Sequence, residues 1–440
     1  GNAYVVGFTR SSDYPVLNAV QSMFSDAFSL RDPTAGDAFV TKISDTTTGP
    51  ASLLQFTQTA ATVQEDVTLV TLTVSRTGDL SGAVTVNYAT FDGTASVRSD
   101  YTTAVGTLRF AAGETSKIID ILVNEDSFVE GNETFTVSLS NPIGGATLSC
   151  PTAVATIQIT DDAGEPATNV TDDSTVFVGT HYHDFLNRQS DASGLAFWVN
   201  QIEACGADAQ CREVRRINVS AAFFLSIEFQ RSGFEVIRIY KASFLDSPGR
   251  PRGLPLYREF LRDTQEVQRG VVVGVGNWEQ QLNDNRINFA RAWVQRFDFL
   301  ADFPASMSGD QYINKLFTYS GVTPTAAEFN SALAAYNNGG VEGRAQALLA
   351  VTDSGSVFNK DFNPAFVLMQ YIGYLRRSPN DSPEGNRTYA GYDFWLTKLN
   401  QFSLPGEDVR NDQVALARIQ RAEMVKAFII SGEYRGRFGP

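Results

Sequence analysis

The sequence predicts a multidomain protein in three parts: a short N-terminal β segment, an all-β Greek-key sandwich, and a C-terminal all-α domain built on an internal repeat. Three observations predict it. Short runs of alternating apolar and polar residues fill the first part of the chain, the period of half-buried strands. From Phe177 onward the period lengthens to that of a helix, with Phe177, His181, Phe185 and Leu186 on one face. Three sequence blocks near the start of the helical part then recur, in order, near its end. At 440 residues, 43% hydrophobic and 19% charged, the chain is globular in composition and too long for one ordinary core.

Residues 1–50 form the β segment. Gly1–Thr9 and Asp37–Ile43 read as strands, and the stretch between them is rich in turn formers, among them Asp13, Pro15, Asn18, Pro33 and Gly36. The pattern G-N-A-Y-V-x-G-x-T, then D-x-P, then D-A-F-V-x-K-I resembles one SBBP repeat, a blade-like unit found in tandem in secreted bacterial proteins. A lone two-stranded unit is marginal in water and leaves backbone groups unpaired at its edges. Two outcomes are open. The strands pair within their own chain, or they add to a sheet of a neighbouring copy, which repeated head-to-tail would make a homopolymeric filament.

Residues 51–163 carry alternating runs at even spacing: Leu54–Phe56, Val67–Val74, Val84–Tyr88, Gly106–Phe110, Lys117–Val123, Glu133–Leu139 and Ala153–Ile159. Turn signals separate them, including Thr77-Gly78-Asp79, Asp92-Gly93 and Asn141-Pro142. About seven short strands so spaced predict an antiparallel sandwich. Between two of them lies the acidic loop Asn124–Glu133, with Glu125, Asp126, Glu130 and Glu133. Residues 51–175 hold 16 Asp+Glu against 4 Lys+Arg, a net of −12 out of −14 for the chain. The acidity is therefore local, and a hard cation with oxygen ligands is its natural counter-charge.

Asp92-Gly93-Thr94-Ala95, Ser99-Asp100-Tyr101, Glu125-Asp126-x-x-x-Glu130-x-x-Glu133-x-Phe135 and Ile159-Thr160-Asp161-Asp162 resemble the Calx-β family. That resemblance implies a seven-strand sandwich with Ca²⁺ at one end. The candidate ligands it implies are Glu65, Asp100, Glu125, Asp126, Glu130, Asp161 and Asp162. Glu65 is expected to open a strand, Asp100 to end a loop, and Asp161-Asp162 to close the last strand. Ala163 and Glu125 stand where the strong Ca²⁺ binders of the family usually carry Asp. Residues 164–175 read as a linker, and a cation at the last strand would lie at its root and fix the angle to the next domain.

Residues 176–440 read as helical, with amphipathic runs at 234–245, 255–268, 286–302, 309–319, 325–336, 341–358, 362–377, 391–402 and 411–432. Tyr182-x-x-Phe185-Leu186-x-Arg188 recurs as Tyr371-x-x-Tyr374-Leu375-x-Arg377. Gly194-x-x-Phe197-Trp198 recurs as Gly391-x-x-Phe394-Trp395. Ala222-Phe223-x-x-Ser226-x-Glu228-Phe229 recurs as Ala427-Phe428-x-x-Ser431-x-Glu433-Tyr434. The second copy carries an insertion from Ser378 to Thr388. These blocks resemble the domain-of-unknown-function family DUF4214. The order of the three parts resembles large exported surface proteins of Acidobacteria-like bacteria. Glu228 and Glu433 occupy equivalent positions, so pairing with Arg188 and Arg377 is expected rather than a catalytic dyad. Trp198 and Trp395 are expected to anchor cores, with sugar stacking as the alternative.

Cys205 and Cys211 could close a short disulfide loop in an oxidising compartment. His181 and His183 fall on different helix faces, which disfavours joint metal binding. There is no nucleophile-elbow, metalloprotease or phosphate-loop motif, no basic patch for nucleic acid and no apolar run long enough to span a membrane. The expectation is a non-enzymatic extracellular structural protein, assembled from copies of itself and stiffened by calcium. An adhesin or a module binding cell-surface glycans is the alternative.

Overall fold

The computed structural model describes residues 2–9, 37–44, 51–65, 69–161, 164–384 and 387–440. The turn-rich stretch 10–36 and the candidate ligand Asp162 lie outside the described residues. Two units result, Gly1–Ala51 and Ser52–Pro440. In the first, β1 (Asn2–Thr9) and β2 (Asp37–Ser44) pair antiparallel along their whole length, Asn2 opposite Ser44 and Thr9 opposite Asp37. Among the described residues no third strand joins them.

The second unit begins with the sandwich. Its strands are β3 (Ser52–Phe56), β4 (Ala60–Gln64), β5 (Leu69–Thr77), β6 (Val84–Asp92), β7 (Val105–Phe110), β8 (Ser116–Leu122), β9 (Glu133–Ile143), β10 (Ala146–Leu148) and β11 (Val154–Thr160). They form one sheet in the order β10-β3-β5-β8 and another in the order β4-β11-β9-β6-β7. Alternation places Leu72 and Val74 of β5, Phe135 and Val137 of β9, and Ala155 and Ile157 of β11 in the shared core. Tyr101 stacks on Phe135 at a centroid distance of 4.1 Å.

β4 and β10 are additions to the strands read from sequence. Ala60-Ala61-Thr62-Val63-Gln64 has one buried apolar residue, so its pattern is faint, and parallel pairing with β11 makes it a strand. Glu65 consequently follows a strand instead of opening one.

Helices fill the remainder: α1 (Ser174–Leu186), α2 (Ala192–Glu203), α3 (Ala209–Leu225), α4 (Ile227–Gln230), α5 (Gly233–Ser243), α6 (Tyr257–Gln268) and others through Gly432–Arg435. Their buried faces merge into one core that includes Phe177, Phe223, Trp293, Phe366 and Tyr374. Three long runs are divided. The run 286–302 splits between Trp278–Trp293 and Phe297–Asp302, and 341–358 splits at Ser354, which caps the helix Gly355–Met369. The run 411–432 breaks at Glu423, whose φ is 51°.

The duplicated blocks fold alike. Arg188 donates to both carboxylate oxygens of Glu228 at 2.9 and 3.0 Å, and Arg377 does the same to Glu433 at 2.6 and 3.0 Å. Any side chain at Gly194 or Gly391 would collide with the hydroxyl of Tyr182 or Tyr371, which explains a glycine in both copies. Trp198 and Trp395 are half-buried against the core, each edge-on to an exposed phenylalanine, Phe197 or Phe394. Cys205 and Cys211 are joined, with their Cα atoms 5.6 Å apart.

Residues 164–175 do not behave as a free tether along their whole length. Val170–Asp172 form a 3₁₀ turn, and Asn169 is buried, donating from Nδ2 to the carbonyls of Arg435 and Gly439 at 2.8 and 2.9 Å. Arg435 pairs with Asp172 at 2.8 Å. The cause is complementarity: an Asx turn needs its amide satisfied, and the carbonyls of residues 435–439 supply it.

Those same closing residues join the sandwich to the helices. Arg437 is buried, holds Asp184 at 2.8 and 3.0 Å, and donates to the carbonyls of Tyr374 and, from Nε, Arg98. Ser127 donates to the carbonyl of Phe438 at 3.2 Å. Gly439 has φ 136°, and a Cβ there would overlap the Ser127 hydroxyl.

Both histidines are buried in α1. His181 contacts the Phe177 carbonyl and the Ser220 hydroxyl, each at 2.7 Å, and burial pushes its pKa down to about 4 from 6.5. The unfolded chain therefore binds more protons than the folded one between those values. The His181 contribution is intact above about pH 6.5 and is lost as pH falls toward about 4. Chemical denaturation across that range is expected to show wild type losing more stability than His181→Gln, with a difference of up to about 3 kcal/mol at the acid end.

Candidate metal centre

Backbone pairing decides which carboxylates meet. β4 runs parallel to β11 with Gln64 opposite Thr160, and the Glu65 amide donates to the Thr160 carbonyl at 3.1 Å. Glu65 and Asp161, the next residues of the two strands, therefore leave the sheet side by side. On the other side of the same end, Tyr101 bridges Val123, and the Asn124 amide donates to the Asp100 carbonyl at 2.9 Å. That bond places Asp100 beside the acidic loop. The Asn124 side chain holds the turn by donating to the Ser99 carbonyl at 2.6 Å.

Two carboxylate trios result. Glu65, Asp161 and Glu165 each offer an oxygen, and the three oxygens lie within 4.8 Å of one another; Asp100, Asp126 and Glu130 do the same. The trios adjoin. Asp161 Oδ2 accepts the backbone amides of Glu130 and Gly131 at 3.2 and 3.1 Å, so a member of one trio orders the loop that carries the other. Asp126 Oδ1 accepts the Phe128 amide at 2.7 Å, and Asp100 Oδ2 accepts the Ser96 amide at 2.5 Å. The other oxygens of Asp100, Asp126 and Asp161 are buried and have no hydrogen-bond partner among the described residues.

This end is electrostatically costly by itself. Burial, then Asp126, Glu125, Glu165 and Asp100, push the Glu65 carboxyl up to about 9. Burial is also the largest cause at Asp126, which rises to about 7 with Glu130, Asp100 and Glu125 adding to it. Glu130 is raised by burial and by Asp100 and Asp161, and Glu133 by burial and by the neighbouring Asp100 carboxylate. Buried, unpartnered carboxylate oxygens converging from separate segments are the donor set of a hard divalent cation. The residues fit such an ion.

Of the seven sequence candidates, Glu65, Asp100, Asp126, Glu130 and Asp161 stand in the two trios. Glu125 stands in neither trio, although its charge acts on Glu65 and Asp126. Asp162 lies outside the described residues. Glu165, which falls in the predicted linker, completes the first trio, and Glu133 of the acidic loop stands in neither. The signal for Glu165 was its position four residues after Asp161, close enough to turn back on the same end.

Comparison with known proteins recognises two regions of the chain. The family model of the Calx-beta domain matches residues 50–163, and that of a domain of unknown function (DUF4214) matches residues 164–232. The chain thus carries a Calx-beta sandwich followed by a helical region. Mouse (Mus musculus) sodium/calcium exchanger 1 is 42% identical over 93 residues, 21% of this chain and 10% of that protein. Mouse extracellular matrix organizing protein FRAS1 is 38% identical over 96 residues, 21% of this chain and 2% of that protein. A crystal structure of the apo-form Calx CBD1 domain is 34% identical, covering 26% of this chain and 99% of that one, with a TM-score of 0.25. The chain spans about a tenth of the exchanger's length.

The raised pKa of Glu65 gives this end a pH signature. Between its ordinary value of 4.5 and about 9, the folded chain keeps a proton that the unfolded chain releases. Stability therefore falls as pH rises through that window. In chelator, the melting temperature is expected to drop between about pH 5 and about pH 8.5, and Glu65→Gln is expected to flatten the slope. An unchanged slope in the variant would place the repulsion elsewhere.

Proposed function

We propose that this chain is a non-enzymatic extracellular structural protein, a subunit of a filament, sheath or surface layer, stiffened by Ca²⁺. The observation that carries the reading is the pair of adjoining trios at the end where the sandwich passes into residues 164–173. Glu165 lies in the connection itself. Calcium there would neutralise the crowded carboxylates and tie the start of that connection to β4, β11 and the acidic loop. A donor set made of carboxylate oxygens favours Ca²⁺ over a softer metal. The Cys205–Cys211 bond supports an oxidising compartment. Among the described residues no helix is long and apolar enough to cross a membrane.

Assembly would run head-to-tail through the β1–β2 ribbon adding to a sheet of the next copy. The ribbon supports this because its outer edges have no strand partner among the described residues. Negative-stain microscopy and light scattering of the whole chain test the proposal. Calcium is expected to produce ordered polymers that chelator shortens and that loss of residues 1–44 abolishes. A monodisperse monomer at saturating calcium would overturn it.

A second reading, an adhesin or glycan-binding module, is favoured by one observation. Phe197 and Phe394 occupy matched repeat positions and are 55% and 53% exposed, each beside a half-buried tryptophan. A pull-down with cell-wall polysaccharide checks it. Binding lost in a Phe197→Ala/Phe394→Ala double variant would support this reading, and equal retention of both proteins would remove it.

A further inference from the structure

A cavity of about 620 Å³ opens where the sandwich meets the helices, lined by Arg98 and Phe91 on one side and by Tyr257, Arg258, Arg376 and Ser382 on the other. That volume is typical of a small-molecule site. Its charge is unusual for a chain of net charge −14. Arg98 and Arg258 have no carboxylate within 4.0 Å among the described residues; they donate instead to the carbonyls of Ser382 and Thr90. The acids nearby are already engaged. Glu259 holds Arg250 at 2.7 Å, Asp92 accepts the Tyr101 hydroxyl at 2.5 Å, and Asp381 accepts the Ser378 amide at 2.9 Å.

Behind them sits Arg376, whose side chain is wholly buried. It shares one carboxylate, Asp184, with Arg437, so two guanidinium charges face one negative charge. Its Nε and Nη2 have no hydrogen-bond partner among the described residues. A buried cation left short of partners is expensive unless something negative approaches it.

The internal repeat supplies an independent argument. Arg376 has φ 51°, and its counterpart in the first copy is Asn187, also at φ 51°. Asparagine tolerates the left-handed region and arginine does so less readily. The second copy thus carries an arginine where the backbone favours asparagine, and it does so at a cavity. The insertion Ser378–Thr388, absent from the first copy, provides Asp381 and Ser382 to the same wall.

We infer that this junction cavity is an oxyanion-binding site, taking a small carboxylate or sulfate, free or carried on a sugar-sized ring. Arg258 lies over the Phe91 ring at 5.2 Å and Arg376 over Tyr257 at 5.5 Å. Stacking fixes the Arg258 guanidinium plane while leaving its edge N–H groups to grip an oxyanion, and the buried Arg376 adds positive charge from behind. Phe91 and Tyr257 give the ring of a sugar acid an apolar wall. The inference is independent of calcium, since none of these residues belongs to the carboxylate trios.

Isothermal titration of the whole chain at constant ionic strength tests it, with D-galacturonate, sodium sulfate and neutral D-galactose as probes. Saturable binding of galacturonate or sulfate, with galactose at least about tenfold weaker, is the expected result. Galacturonate alone would identify a sugar acid as the occupant, and equal binding of sulfate a free oxyanion. Arg98→Gln/Arg258→Gln is expected to weaken binding about tenfold or more. Arg376→Asn restores the residue its backbone favours, so it is expected to keep the far-ultraviolet spectrum of wild type while weakening binding similarly. No saturable binding of either anion to wild type, or undiminished binding to a folded Arg376→Asn, would overturn the proposal.

Discussion

Repulsion between like charges governs one end of the sandwich, and backbone pairing enforces it. The parallel register of β4 on β11 leaves Glu65 and Asp161 no choice but to emerge together. The bridge between Tyr101 and Val123 similarly commits Asp100 to the acidic loop. Side chains that burial alone would penalise are then buried beside one another, as the raised Glu65 and Asp126 carboxyls record. Isolated surface acids would be screened and contribute little. These are fixed by hydrogen bonds from the main chain, so they cannot relax apart, and an ion of opposite sign is the direct way to relieve them.

The same end is also a junction. Asp161 hydrogen-bonds the loop that carries Glu130, while Glu165 approaches from the chain leaving the sandwich. A few residues later Asn169 and Asp172 are held by the carbonyls and guanidinium of residues 435–439. Sandwich, connection and helical region are thus locked by polar contacts at short range. The buried Asp184–Arg437 pair completes the lock.

Much of this was legible in the sequence because the signals are local. Period-2 and period-3.6 patterning located the strands and helices, and the repeated blocks fixed the equivalence of Arg188–Glu228 with Arg377–Glu433. Of the seven candidate ligands that the Calx-β resemblance implies, five stand in the trios. What escaped depends on non-local pairing. β4 has too few apolar residues to announce itself, and only β11 makes it a strand. The order in residues 169–172 depends on partners more than 260 positions away. Glu165 has only its closeness to Asp161 as a local signal, and the turn that brings it back lies in the three-dimensional fold. The junction cavity was invisible for the same reason, since Arg98, Arg258 and Arg376 are scattered singly along the chain.

The partners that seat the sandwich on the helices are remote in the order of synthesis. Ser127 waits for Phe438, 311 residues on, and the Arg98 carbonyl waits for Arg437, 339 residues on. A nascent sandwich would therefore emerge with its docking face bare and stay so while the helical region is made. The contacts that seat the sandwich thus close only once the last residues of the chain are in place.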